Sequence, residues 1–141
     1  MKKQTLIAAS LCLVVGLAAV SANAQAGGVK AKVPFNFAVS GKTFPAGEYT
    51  MIASSHLVNI EDGDGRIVAK VLANEVSGRS AGENGRIIFH CYRDRCFLAE
   101  VWSPRQENGR EFPTSRPEAN LAKEEKGKYF AVLGEKLLNR Y

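Results

Sequence analysis

The chain has few of the residues that build metal centres, redox sites or nucleophilic active sites. Its 141 residues include three cysteines, two histidines and one tryptophan. No H-E-x-x-H or P-loop pattern occurs, and the C-x-x-C spacing of a redox pair is absent as well. We therefore predict no catalytic residue, no cofactor and no metal ion. The length leaves room for one core, since a single core usually occupies about 100–150 residues, and this excludes a multidomain enzyme.

Long apolar runs are also missing, except near the start of the chain. Two lysines precede an apolar segment over residues 6–20, and Ala22 and Ala24 then form the small-x-small pattern that signal peptidase accepts. This pattern predicts a signal peptide over residues 1–24 and a single β-rich domain over residues 25–141. The apolar segment is shorter than the roughly 20 residues that cross a bilayer. We therefore expect a mature chain without a membrane span, located in the periplasm or outside the cell.

Positive charge is small and dispersed. The chain carries 19 basic and 14 acidic residues, a formal charge of +5, and loss of the two lysines in the signal peptide would lower it to +3. All of that remaining excess lies after residue 85. Nucleic-acid binding usually requires a concentrated basic face. We therefore predict no nucleic-acid partner.

Alternating hydrophobicity dominates the first half of the mature chain. Every odd-numbered residue from 29 to 39 is apolar, and this period of two predicts one buried sheet face. Pro34 cannot donate to a strand ladder, so it indicates an edge strand or a local break. Pro45 to Gly47 and Asp62 to Gly65 have turn chemistry, which predicts strands on both sides of each turn.

The second half repeats this pattern and adds a helix. Residues 86–92 and 95–102 are β-branched and aromatic around a short turn, and apolar residues of both parities predict a hairpin covered on two sides. The polar stretches 74–85 and 103–113 are expected to be loops. Ser115 and Glu118 have capping-box spacing, which predicts a helix over residues 116–126. Residues 129–133 suggest a last strand.

These elements together predict a mainly β fold. Six or seven short strands with turn signals at regular spacing favour an antiparallel β-sandwich or a small β-barrel, with one short C-terminal helix.

Cys91 and Cys96 support one covalent inference. In an exported protein an even pair of cysteines is normally oxidised. If Arg93 and Asp94 are the two loop residues of the hairpin, the cysteines lie directly opposite each other. They then form a non-hydrogen-bonded pair, which is the pair enclosed by the wider ring of the antiparallel ladder. We therefore predict a structural disulfide. A zinc site with His90 is disfavoured because oxidised sulfurs do not ligate metal.

A group of aromatic and basic residues forms the candidate surface for a ligand or partner. Its members are His90, Tyr92, Arg95, Trp102 and Arg105.

Two function classes follow from these residues. The preferred one is a non-catalytic exported β-domain that binds a small or polymeric ligand, or contacts an envelope protein. The alternative is a small hydrolase or lyase that uses His90 with Glu100, Asp94 or Glu111.

Two motifs resemble those of a family of small exported bacterial proteins of unknown function. The first is V-P-F-x-F over residues 33–37 followed by F-P-A-G-E-Y over residues 44–49, and the second is F-H-x-Y-x-D-x-x-F-L-x-x-V-W over residues 89–102. Relatives often place glycine where Arg93 stands, which implies that a four-residue loop could replace the two-residue turn. The family has no assigned activity, so the resemblance implies no catalytic residue.

Overall fold

The structure, a computed structural model, describes residues 28–135. The predicted signal peptide over residues 1–24 lies outside this range. Within it the chain forms eleven strands and one helix. These elements are β1 (Gly28–Val33), β2 (Phe37–Val39), β3 (Lys42–Phe44), β4 (Gly47–Ser54), β5 (Leu57–Glu61), β6 (Ile67–Leu72), β7 (Asn74–Ser77), β8 (Arg86–Tyr92), β9 (Arg95–Trp102), β10 (Asn108–Glu111), α1 (Arg116–Glu124) and β11 (Lys128–Leu133).

The strands form two sheets that share one core. Sheet A has the order β1-β4-β5-β6 and is antiparallel, while sheet B has the order β11-β8-β9-β10-β7. In sheet B, β2 pairs with β3 and also, in parallel, with β9. The predicted mainly β fold is confirmed as a sandwich, not a closed barrel. Eleven strands form instead of six or seven, because the alternating segment divides into β1 and β2, and because three further strands, β3, β7 and β10, have only three or four residues.

The predicted alternation between residues 29 and 39 supplies much of the shared core. Val29 and Ala31 are fully buried in β1, and Phe37 is 1% exposed in β2. The chain breaks between these strands at residues 34–36, as Pro34 predicts, and crosses from sheet A to sheet B. Because the odd-numbered positions keep facing inward across the break, one sequence pattern fills both layers.

Aromatic rings fill the centre of the sandwich. The ring of Phe37 stacks on Phe44 at a centroid distance of 5.5 Å and meets Tyr49 and Phe89 edge-on at 5.1 and 5.3 Å. Such pairs add about 0.5–1.5 kcal/mol beyond the burial of their area. The Phe37 ring thus connects both sheets.

The β8–β9 hairpin is buried on both faces, as predicted. Ile87 and Phe89 face the shared core, whereas Ile88 belongs to a second apolar cluster on the outer face of sheet B. The register shifts by one residue between Ile88 and Phe89, so that Ala99 is an extra residue in β9. This bulge lets Leu98 and Val101 both face the shared core.

Two stretches that were expected to be loops contain paired strands. β7 lies within residues 74–85 and β10 lies within residues 103–113, and the two pair with each other antiparallel. The expectation of loops was wrong here because both strands are short and polar. Arg110 holds them in place: its Nε donates to the Ser55 carbonyl at 2.7 Å, and its Nη1 lies 3.6 Å from a Glu75 carboxylate oxygen.

The Asp62 to Gly65 segment is the predicted hairpin turn. The Asp62 carboxylate accepts hydrogen bonds from the backbone N–H groups of Asp64 and Arg66 at 2.9 and 3.0 Å. These bonds hold the chain reversal between β5 and β6.

The predicted Cys91–Cys96 disulfide closes the tip of the β8–β9 hairpin. The two residues are directly opposed, with their Cα atoms 4.0 Å apart. Tyr92 pairs with Arg95, so the turn has two residues and the longer loop implied by the resemblance does not form. Arg93 has a φ of 53°, in the left-handed region that favours glycine.

None of the helices in residues 28–135 combines the length and the apolar content that a bilayer crossing requires.

Reduction of the disulfide should lower stability modestly without loss of the fold. A link across six residues constrains the unfolded chain by about 2 kcal/mol. Urea unfolding of the purified protein with and without dithiothreitol measures this difference. Two free thiols titrating in the untreated protein would contradict the disulfide, and complete unfolding on reduction would contradict its secondary role.

Candidate functional site

A largely buried polar cluster lies between helix α1 and the outer face of sheet B. It consists of Glu118 from the first turn of the helix and of His90 and Tyr92 from β8. We call these three residues the α1 anchor. They come together because His90 and Tyr92 share the outer parity of β8, which the helix covers.

One carboxylate oxygen of Glu118 contacts both His90 and Tyr92. Glu118 is 5% exposed, and its Oε1 lies 3.1 Å from His90 Nδ1 and accepts from the Tyr92 hydroxyl at 3.4 Å. Burial raises the pKa of Tyr92, and the nearby charge of Glu118 raises it further. Tyr92 therefore stays protonated and remains a donor to the carboxylate at physiological pH.

The start of the helix positions Glu118. The Ser115 side chain accepts a hydrogen bond from the Glu118 backbone N–H at 3.3 Å, so the predicted N-terminal cap is confirmed. The helix ends at Glu124, two residues earlier than expected. Instead of closing a capping box, the Glu118 carboxylate turns toward β8, while its negative charge is still favourable in the first helical turn.

The segment that follows α1 also contacts the β8–β9 hairpin. Glu125 forms an ion pair with Arg93 in the β8–β9 turn, and Gly127 lies so close to the Tyr92 ring that a Cβ there would approach it to 2.7 Å. Leu121, half-buried, is the one large apolar residue of the helix. Because the helix has almost no apolar face, the α1 anchor is its principal attachment.

Both ring nitrogens of His90 are occupied or buried in this arrangement. A carboxylate only accepts hydrogen bonds, so Nδ1 is the donor toward Glu118 Oε1. Nε2 is buried and has no partner within the described residues. The Tyr129 ring packs edge-on against the imidazole with a centroid distance of 4.4 Å. Nε2 is therefore shielded from solvent in this arrangement.

The acid beside His90 is not one of the three proposed from the sequence. Glu100 accepts from the Trp102 indole at 2.7 Å, while Asp94 and Glu111 are exposed. Glu118 was missed because 28 residues separate it from His90 and its capping spacing suggested a purely local role. One sequence signal pointed to it: a helix with a single large apolar residue needs a buried polar contact to dock.

The candidate surface residues fall into two groups at opposite ends of the β8–β9 hairpin. Tyr92 pairs with Arg95 near the disulfide, and Trp102 pairs with Arg86 at the other end. His90 and Tyr92 belong to the α1 anchor, and Arg95 is exposed with its guanidinium over the Phe97 ring at 5.4 Å. The structure therefore does not bring the predicted set together.

Trp102 is enclosed and offers no ring to a ligand. It is 1% exposed, and the Arg86 guanidinium lies 5.7 Å from its ring centroid. A Cβ atom at position 109 would lie 2.6 Å from the indole of Trp102, so only glycine fits at this position. Arg105 is exposed in the following loop, where its backbone N–H donates to Gly82 at 2.9 Å.

One further sequence motif lies between β7 and β8. Gly78 to Gly82 has the G-x-S-x-G spacing of a nucleophile elbow, with Ser80 at its centre. That motif needs a strand-to-helix turn, whereas this segment joins two strands, β7 and β8. Ser80 is exposed, and its hydroxyl accepts from the backbone N–H of Gly82 at 3.3 Å. We assign it no catalytic role.

Among residues 28–135, the most exposed apolar surface lies on β11, at the edge of sheet B. Tyr129 is 70% exposed, Phe130 48% and Leu133 71%. β11 pairs with β8 on one side, and no strand within residues 28–135 pairs with its other side. This free edge combines apolar side chains with backbone groups that no strand within residues 28–135 pairs.

Searches of protein-family models, curated proteins and solved structures found no match to this chain. The family resemblance therefore stays a prediction. Within residues 28–135, no three side chains of His, Cys, Asp or Glu gather as potential metal ligands.

Removal of the Glu118 carboxylate should destabilise the protein. Glu118→Ala leaves the buried Tyr92 hydroxyl and the half-buried His90 imidazole without their acceptor, and loss of the acceptor of a buried group costs about 1–3 kcal/mol. Urea unfolding should show this loss, while Glu124→Ala, on an exposed position of the same helix, should change the free energy of unfolding by less than about 0.5 kcal/mol. Equal effects of the two substitutions would show that the α1 anchor does not hold the helix.

Proposed function

We propose that this protein is a non-catalytic, exported β-sandwich domain that acts in the cell envelope by binding a partner along strand β11. One observation carries this proposal: β11 is an apolar edge strand left open on one side within the described residues. Protein surfaces that combine exposed apolar side chains with free strand edges are typical sites for strand addition.

The filled interior supports surface binding over ligand capture. Phe37 and Trp102, two large aromatic residues that could line a pocket, are each 1% exposed. Phe37 is packed between three other rings, and Trp102 lies against Gly109 and Arg86. Neither ring faces a cavity, so a ligand site built on them has no support.

The closed geometry of His90 disfavours the hydrolase or lyase alternative. A general base must come within about 2.6–3.2 Å of the proton it abstracts. His90 Nδ1 is engaged by Glu118, and Nε2 is buried against the protein. The His–Glu pair is therefore better explained by attachment of α1.

The disulfide supports export. Disulfides persist in oxidising compartments and are rare in the cytosol. The Cys91–Cys96 link joins two neighbouring positions of the hairpin, and its spacing matches no redox motif. A stable structural disulfide fits the predicted passage through the membrane by means of the signal peptide.

Site-specific photo-cross-linking in the exporting cell tests the proposal. A benzoylphenylalanine in place of Tyr129 should form a discrete protein adduct. The same group in place of Leu72, which is 68% exposed on β6, should form none. A second substitution, Leu133→Lys, should lower the yield from position 129 about tenfold, because burial of a leucine contributes about 1.5–3 kcal/mol.

Equal yields from positions 129 and 72 would refute β11 as the binding surface. Secretion levels and far-ultraviolet circular dichroism of each variant show whether the fold is intact.

A further inference from the structure

We infer that a cleft beside strand β6 is a second binding site, which takes a small anionic amphiphile with a single acyl chain. The cleft has a volume of about 430 Å³ and is lined by residues 39–41, 70–72 and 112–115. These are the β2–β3 turn, the end of β6 and the segment that joins β10 to α1. The cleft does not include β11, so this inference is independent of the proposed function.

Both sheets border the cleft. β6 is an edge strand of sheet A, and no strand within residues 28–135 continues the sheet beyond it. The other two lining segments belong to the sheet B side of the sandwich. Val39, Val71 and Phe112 line the cleft and are also core residues, each at most 6% exposed. The floor of the cleft is therefore the rim of the shared core.

The apolar part of the cleft continues onto an exposed apolar surface. Leu72 lines the cleft and is 68% exposed. Leu57, which lies directly opposite it in the β5–β6 ladder, is 41% exposed. Adjacent exposed apolar side chains are typical of ligand and partner sites. An acyl chain that lies on these two leucines and reaches the cleft would remove both side chains from water.

The polar part of the cleft favours an anion. Lys70 is the only charged residue of the lining, is exposed, and forms no ion pair within residues 28–135. Three residues with hydroxyl groups complete the polar lining, namely Ser40, Thr114 and Ser115. An ammonium group and hydroxyl groups donate hydrogen bonds to a carboxylate, and such charge-assisted bonds are stronger than bonds between neutral groups.

Charge around the cleft matches this choice. Among the residues next to the lining in sequence, Lys42 and Arg116 are basic and Glu111 is acidic, and all three are exposed. Together with Lys70 they give the surroundings an excess of positive charge. This excess attracts an anionic head group and repels a cationic one.

The size of the cleft limits the ligand to one chain. Small-molecule sites usually measure about 300–1,000 Å³, so 430 Å³ is near the lower end. A lipid with two chains would leave much of its apolar surface in water. The C-terminal end of the described chain is directed elsewhere, because the Glu135 backbone N–H donates to Lys30 on β1, the opposite edge of sheet A.

Titration of the purified exported protein with dodecanoate, followed by amide chemical shifts in NMR spectra, tests the site. Binding should be saturable below micelle formation, and the largest shifts should fall in residues 39–41, 70–72 and 112–115. Each methylene added between octanoate and dodecanoate should tighten binding by up to about fourfold. Dodecyltrimethylammonium, a cation with the same chain, should bind at least about tenfold more weakly because it lacks the hydrogen bonds to Lys70.

Two substitutions at exposed residues separate the charge from the apolar contact. Lys70→Gln should weaken dodecanoate binding about tenfold and remove most of the preference for the anion. Leu72→Ser should weaken the binding of both amphiphiles about tenfold. The matched controls are Lys32→Gln on β1 and Leu133→Ser on β11, both at exposed positions, and they should leave binding unchanged. Urea unfolding shows whether each variant keeps its fold.

Several results would overturn the cleft as a ligand site. These are the absence of saturable dodecanoate binding, equal affinities of the wild type for the anion and the cation, or equal effects of Leu72→Ser and Leu133→Ser. Binding that appears only after deletion of residues 136–141 would assign the cleft to the chain's own tail. Binding to phosphatidylglycerol vesicles without affinity for dodecanoate would indicate a membrane surface instead of a single-chain ligand.

The cleft and β11 can fail separately. Chemical shifts confined to β11 would refute the cleft and place the amphiphile on the other surface. Loss of the cross-links from position 129, with dodecanoate binding intact, would refute the proposed function and keep the cleft.

Discussion

Burial of the β8–β9 hairpin on both faces is the constraint on which the rest of the structure depends. One face packs into the core between the sheets, and the other carries the second apolar cluster and the α1 anchor. The Ala99 bulge makes this possible, because it changes which residues of β9 face each layer. Without that shift, Val101 would leave the core and Trp102 would enter it.

The hairpin also organises both candidate functional features. Its β8 strand supplies His90 and Tyr92, which receive Glu118, and it forms the ladder to which β11 is added. The helix contributes little apolar surface, so its position follows from polar contacts with the hairpin. The exposed strand β11 is in turn held on one side by β8, and no strand within residues 28–135 pairs with its other side.

Much of the fold was predictable because it rests on local periodicity. Three predicted features depend only on residues that are close in sequence, and each was confirmed. They are the alternation from Val29 to Val39, the Asp62 turn and the Ser115 cap. β7 and β10 were missed because their pairing is stabilised by backbone bonds and by Arg110, which contacts residues 35 and 55 positions earlier. Such distant contacts leave no periodic trace in the sequence.

The site was less predictable than the fold. The disulfide followed from the hairpin register, because a two-residue turn determines which positions of the two strands lie opposite each other. The partner of His90 did not, because the choice between Glu118 and the nearer acids depends on where α1 docks. Trp102 resembled a surface aromatic in sequence, yet Gly109 lets the chain cover it closely. Aromatic and basic residues alone do not reveal which side of a two-faced strand they occupy.

Native-state hydrogen exchange of the backbone amides tests the central role of the hairpin most directly. If burial on both faces of β8 and β9 organises the fold, their paired amides should exchange last, at the rate of global unfolding, after those of β6, β7 and β10. Exchange of the β8 and β9 amides before those of the edge strands would contradict this account.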